Sequence, residues 1–107
     1  MSRRLLTAWI RTAEVLAAVA MYVAVAVAAA LALHIVLVYL DANPANAIVI
    51  FVRRIADRLV GPFQMLFTPK DLKQQVAINY GLAAAVYLAA GALVSRGIRA
   101  LGGRLAR

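Results

Sequence analysis

The sequence predicts an all-α membrane protein, a two-span transmembrane helical hairpin with an amphipathic interfacial helix in the linker. Three observations predict it. Of the 107 residues 65% are apolar and 15% charged, against about 45–50% and about 25% in ordinary soluble domains. A chain this short has too little interior to hide the surplus, so lipid must be the solvent for much of it. Two long runs then carry no charge at all, and between them apolar and basic residues recur at helical spacing.

Residues 1–14 read as a basic interfacial N-terminal helix. Leu5, Leu6, Trp9, Ile10 and Ala13 share one face, Arg4, Thr7, Arg11 and Glu14 the other. Trp9 suits an anchor at the membrane–water boundary.

The first span is residues 15–40. Its 26 positions without a formal charge make roughly 39 Å of helix, more than a hydrocarbon core of about 30 Å needs. Tilt, or an end running into the headgroups, takes up the excess. Arg3-Arg4 and Ala30-Leu31-Ala32 also suggest a secretory signal peptide with a small-residue cleavage site. An apolar region of about 7–15 residues is usual there, and this one continues straight through the supposed cut, so the run is read as retained.

The linker is residues 41–75, with an interfacial helix over about 44–60. Asn43 suits an N-cap and Pro44 the first helical position. Ile48, Phe51, Val52, Ile55 and Leu59 form the apolar face, and Arg53, Arg54, Asp57 and Arg58 take the other side. Gly61-Pro62 ends it. Thr68-Pro69-Lys70-Asp71 reads as N-cap, first position and a carboxylate in capping-box fashion, so the next helix is expected to begin near Pro69.

The second span, residues 76–95, has 20 positions interrupted by Asn79, Tyr80 and Tyr87. It is a minimal fit to the bilayer. Residues 96–107 form a basic tail; at this end Val94, Ile98, Leu101 and Leu105 make a stripe bordered by Arg96, Arg99 and Arg107, with Gly102-Gly103 as the expected stop.

Twelve Lys and Arg stand against four acids. Because the basic residues flank apolar runs, the expected partner is anionic membrane lipid and not nucleic acid. Two spans put both termini on one side. Arg3, Arg4, Arg11, Arg96, Arg99, Arg104 and Arg107 against Arg53, Arg54, Arg58, Lys70 and Lys73 then favour cytoplasmic termini.

Catalysis is not expected. The four acids are dispersed, and one histidine with no cysteine argues against a metal site. No glycine loop cradles a phosphate, and no cofactor is expected. Helices in lipid associate through small residues, and two ladders at i+4 spacing offer themselves: Ala20, Ala24, Ala28 and Ala32 in the first span, and Gly81, Ala85 and Ala89 in the second, with Ala83, Tyr87, Gly91 and Ser95 beside it. An alanine-rich composition also produces such ladders by chance, and both readings stand. His34 is the one ionisable side chain inside a span, and at comparable depth a hairpin brings it near Asn79. It either serves packing, paired with Asn79, Tyr80 or a carbonyl, or takes part in a proton path or ligand site. Tyr87 is the third buried polar candidate. Arg53, Arg54 and Arg58 are the candidate lipid-headgroup residues.

The order span, Asn43-Pro44, Phe51, Asp57, Pro62-Phe63, Pro69, span resembles the YggT family of small bacterial membrane proteins over about residues 15–95. The resemblance implies a bacterial cytoplasmic membrane, hairpin spans joined by an amphipathic segment and a link to cell division, envelope organisation or osmotic tolerance, and it brings no active site. Two features depart from it: Asp57 is followed by Arg58 in place of proline, and Phe67-Thr68-Pro69-Lys70-Asp71 replaces the usual proline-rich basic run. That segment, through Asn79-Tyr80-Gly81, is more similar to uncharacterised small membrane proteins of high-GC bacteria. The expected role is a non-enzymatic homo-oligomer, or a small accessory or scaffold subunit of an envelope complex bound to a larger membrane protein. The alternative is an oligomeric channel or transporter component with a path past His34 and Asn79, and a third class is a lipid sensor acting through the linker helix.

Overall fold

A computed structural model describes residues 2–106, and the side chains of 2–104. Arg107 of the basic count and the side chain of Leu105 lie outside the described residues. The described chain is helical: α1 (Arg3–Tyr39), α2 (Ala47–Val60), a 3-10 turn (Gly61–Phe63) and α3 (Leu72–Ala106). Two of these helices, α1 and α3, are long and apolar enough to cross a membrane, and the shorter α2 lies between them in the chain.

The helix ends differ from expectation in instructive ways. The N-terminal segment and first span are one continuous helix of 37 residues. Ser2 caps it by accepting from the Leu5 N–H at 3.2 Å. Its C-terminus closes as a Schellman motif: the Ala42 N–H donates to the Leu37 carbonyl at 3.0 Å and the Asp41 N–H to that of Val38 at 3.1 Å. Asp41 takes the left-handed position at φ 52°, which Asp tolerates better than most side chains.

Asn43-Pro44 does not start α2. The Asn43 side chain closes a local turn on the Ala45 N–H at 3.0 Å. Asn46 is the cap, accepting from Ile48 and Val49 at 2.9 and 3.4 Å, because its own backbone is extended and its successor's helical. Gly61 ends the helix at φ 47°, a conformation glycine enters without steric cost. Nor does α3 begin at Pro69. Asp71 caps it, accepting from the Lys73 N–H at 2.9 Å, and Thr68-Pro69-Lys70 stays irregular. Gly102-Gly103 does not stop α3, which continues to Ala106.

Two compact units divide the chain, residues 1–25 with 88–107, and residues 26–87. Within the first, α1 and α3 segments run in opposite directions. Gly91 meets Ala24, and Gly102 meets Ala13, where a Cβ on Gly102 would lie 2.5 Å from that of Ala13. Eleven residues separate the contacts on both helices, three turns on each, so the same faces meet at both points. Arg99 and Glu14 add an exposed ion pair at 3.5 Å, worth little by itself.

The second unit holds three helical segments around one core: Leu31 of α1, Ala56 and Val60 of α2, and Tyr80 and Ala83 of α3. Val27, Ile35, Leu59, Phe63, Val76, Ala84 and Tyr87 pack around them. The amphipathic pattern of α2 is present, but its apolar face is spent on protein. That face is also rotated from the expected one, towards Ala56 and Val60, leaving Ile48 and Phe51 71% and 64% exposed. Ala56 sits within the rotated face, fully buried and in the core cluster.

Candidate functional site

The densest polar chemistry lies where α2 docks in the second unit. Tyr80 and Tyr87 stand seven residues apart on α3, two turns, and so share one face. The Tyr80 hydroxyl donates to Asp57 Oδ1 at 2.6 Å, and the Tyr87 hydroxyl to the Leu59 carbonyl at 2.8 Å. That carbonyl belongs to the last turn of α2, whose carbonyls have no partner within the helix. Two hydroxyls therefore latch α2 onto α3 beside its apolar contacts.

Asn79, 0% exposed, holds the return segment. Its amide nitrogen donates to the Gln64 and Phe67 carbonyls at 2.8 and 2.7 Å, and its oxygen accepts from the Phe67 N–H at 3.0 Å. One side chain thus does for residues 64–67 what a strand or helix partner would do. Lys73 and Asp41 pair at 3.1 Å across the ends of α3 and α1.

The expected bond between His34 and Asn79 is not made. Asn79 is turned to the linker, and buried His34 packs on the Tyr80 ring, centroids 4.8 Å apart at 41°. The contact is ring on ring, so the Tyr80 hydroxyl that reaches Asp57 does not join His34 to it as a proton wire. Tyr80, which the sequence offers as one possible packing partner of His34, is that partner, and its bond to Asp57 is the link that sequence reasoning did not select. The signal present was the seven-residue spacing of two tyrosines in an apolar run.

Neither small-residue ladder packs as a unit within the chain. Ala24 and Ala28 are buried and Ala20 half-buried, but Ala32 is exposed and Leu31 takes its place. On α3, Ala85 and Ala89 are exposed and Gly81 has nothing within 4 Å of its Cβ position. Gly91 is buried, as are Ala83 and Ser95 beside the ladder, and so are Asn79, Tyr80 and Gly102. A step of four residues turns about 40° beyond a full circle, so a strict i+4 ladder winds off any fixed face. Arg53, Arg54 and Arg58 all project from α2 as exposed side chains.

Among the described residues no group of three His, Asp or Glu gathers as a metal site. What the arrangement can do is hold: it fixes a short charged helix and its turn against two long apolar ones. Comparison with protein-family models, with curated proteins and with solved structures finds no match.

Proposed function

We propose that this chain is a two-span integral protein of a bacterial cytoplasmic membrane, with cytoplasmic termini, that acts without catalysis by associating with protein. It does so as a homo-oligomer or as a small accessory or scaffold subunit of an envelope complex. The observation that carries this reading is where α2 ends. Val60 packs with Leu31 and Ala83, and Ala83 stands ten residues beyond Lys73, the last charge before the apolar run of α3. That is roughly 15 Å along the helix, half of a hydrocarbon core of about 30 Å.

In a bilayer α2 is then a re-entrant helix that dips towards the midplane, not one lying in the headgroup layer. Backbone that leaves helical geometry at such depth persists where protein buries it or water lines it, and charged side chains there face protein or water. Arg53, Arg54, Asp57, Arg58, Gly61 and Pro62 are all exposed. A single chain leaves this surface to lipid, and a partner covers it. The YggT-like order of features belongs to the same proposal, since its Asp57 and Pro62-Phe63 stand at the dock. Against a channel path past His34 and Asn79 stands the use of both side chains inside the chain.

Mass measurement in mild detergent, with identification of co-purifying protein, tests the reading. An oligomer or a defined complex is expected. An isolated 11.4 kDa chain without partners overturns it.

A further inference from the structure

The dock uses one side of the apolar face of α2 and leaves the other side open. Ile48, Phe51, Ile55 and Arg58 follow one another at steps of three, four and three residues, the spacing that keeps side chains on one seam facing a second helix. Ile48 and Phe51 are exposed and Ile55 is half-buried. Arg58 continues the seam as an exposed guanidinium, with Arg54 one turn back beside it. Lipid accommodates the apolar side chains of this seam and not its cation.

Depth is what makes the cation matter. Tyr80 reaches Asp57, and Tyr87, two turns further along α3, reaches Leu59, so α2 and α3 advance in the same direction. On the re-entrant reading both descend together from the linker side. Arg53 and Arg54 are then nearer the headgroups, which long basic side chains can reach. Arg58 is two residues short of Val60, roughly 3 Å of rise, and stands roughly 12 Å inside the hydrocarbon. A charge at that depth is met by protein or by water.

The chain has no carboxylate to offer it. Of the four acids, Asp41 pairs with Lys73 and Glu14 with Arg99, Asp71 caps α3 through the Lys73 N–H, and Asp57 accepts from Tyr80. Asp57 also stands about 120° round the helix from Phe51, off the seam. A second copy does not supply the acid either. Copies inserted with the same topology are related by an axis along the bilayer normal, so in a two-fold pair the seam meets its own image and Arg58 faces Arg58. In a larger ring each α2 brings three arginines and one aspartate, and repetition does not change the balance.

We propose that the open seam of α2 receives a membrane-embedded helix of a different protein, which lays apolar side chains against Ile48, Phe51 and Ile55 and brings an Asp or Glu carboxylate to Arg58. Guanidinium and carboxylate pair in a bidentate fork, and an arginine left facing an uncharged helix penalises the wrong partner. The proposal rests on the reading of α2 as a re-entrant helix at a protein contact, and it selects the accessory subunit over the homo-oligomer at this face.

Phe51→benzoylphenylalanine in the full chain, in the membrane of the cells that make it, places a photoreactive group on the seam. The same substitution at Leu93, exposed on α3, is the control. Illumination is expected to join Phe51, and not Leu93, to an apolar segment of another protein that carries Asp or Glu within about two turns of the adduct. Arg58→Glu should lower the yield at least about tenfold, and changing the partner's carboxylate to arginine should restore it, which also shows that the Arg58→Glu chain folds. A yield that survives Arg58→Glu, a loss that the charge swap does not restore, or a partner segment without a carboxylate overturns the proposal. Adducts with a second copy overturn it and leave association of the chain with protein standing. Adducts with lipid alone overturn it, and together with a single 11.4 kDa chain by mass they overturn that reading as well.

Discussion

At the scale of single residues, polar side chains of α3 hold what apolar packing cannot. Asn79→Leu keeps the branched shape and strands the Phe67 N–H and the carbonyls of Gln64 and Phe67. A buried group left unpaired costs about 1–3 kcal/mol; Gln64 and Phe67 are exposed residues, so a total loss of about 1–3 kcal/mol in unfolding free energy is expected. Faster hydrogen exchange should be confined to residues 64–71. Tyr80→Phe removes the hydroxyl that reaches Asp57, a bond to a charged group, and is expected to cost about 1–2 kcal/mol; Tyr87→Phe costs about 1 kcal/mol. Unfolding in detergent monitored by circular dichroism checks both. The double variant should cost close to the sum if the two latches act independently. His34 and Asn79 stood out in the sequence because polar groups in an apolar run are few. Tyr80 stood among the possible partners of His34, but the segment that Asn79 holds did not stand out, since it lies 12 to 15 residues away and carries no pattern of its own.

At the scale of elements, the long helices and the existence of α2 were legible, because a helical period and an absence of charge are properties of the sequence itself. Which face each helix buries was only half legible. Ala24, Ala28 and Gly91 lie on packed faces, while Ala32, Gly81, Ala85 and Ala89 do not. Spacing by four names neighbours, but packing follows the true helical repeat. The caps show the same limit: Asn43 and Asn46 both offer a capping side chain, and only the backbone after each decides between them. These assignments separate two glycines of equal propensity. A side chain at Gly91 meets Ala24 Cβ and, at 3.5 Å, the Ala20 carbonyl, so Gly91→Val is expected to cost about 1–3 kcal/mol by overpacking. Gly81→Ala meets nothing within 4 Å and should gain up to about 1 kcal/mol from helix propensity. Thermal unfolding of both variants checks the contrast, and equal effects would remove the assignment of faces.

At the scale of the whole molecule, composition shows that the chain carries two helices fit for lipid, but it is silent on whether the amphipathic linker meets lipid or protein. The apolar stripe of α2 looks the same for either solvent. The dock answers for one face, through Val52, Ala56 and Val60, and makes depth the measurable quantity. Cysteine is absent from the chain, so single cysteines carrying a spin label can be placed at Ala45, Arg54, Pro62 and Thr68, all exposed, in vesicle-reconstituted protein. A helix lying in the headgroup layer gives these sites similar shallow depths. A re-entrant helix gives a profile that deepens from Ala45 through Arg54 to Pro62, roughly 15 Å below the surface, and returns to shallow at Thr68. Depth is read as the ratio of collisions with oxygen to collisions with a water-soluble nickel complex. If a water-filled cavity covers the arginine face, Arg54 meets the nickel complex at a rate its depth does not allow. If protein covers it, Arg54 is shielded from both reagents, and the shielding is lost when the partner is removed. A flat, shallow profile would return α2 to the interface and take away the reason for a partner at that face.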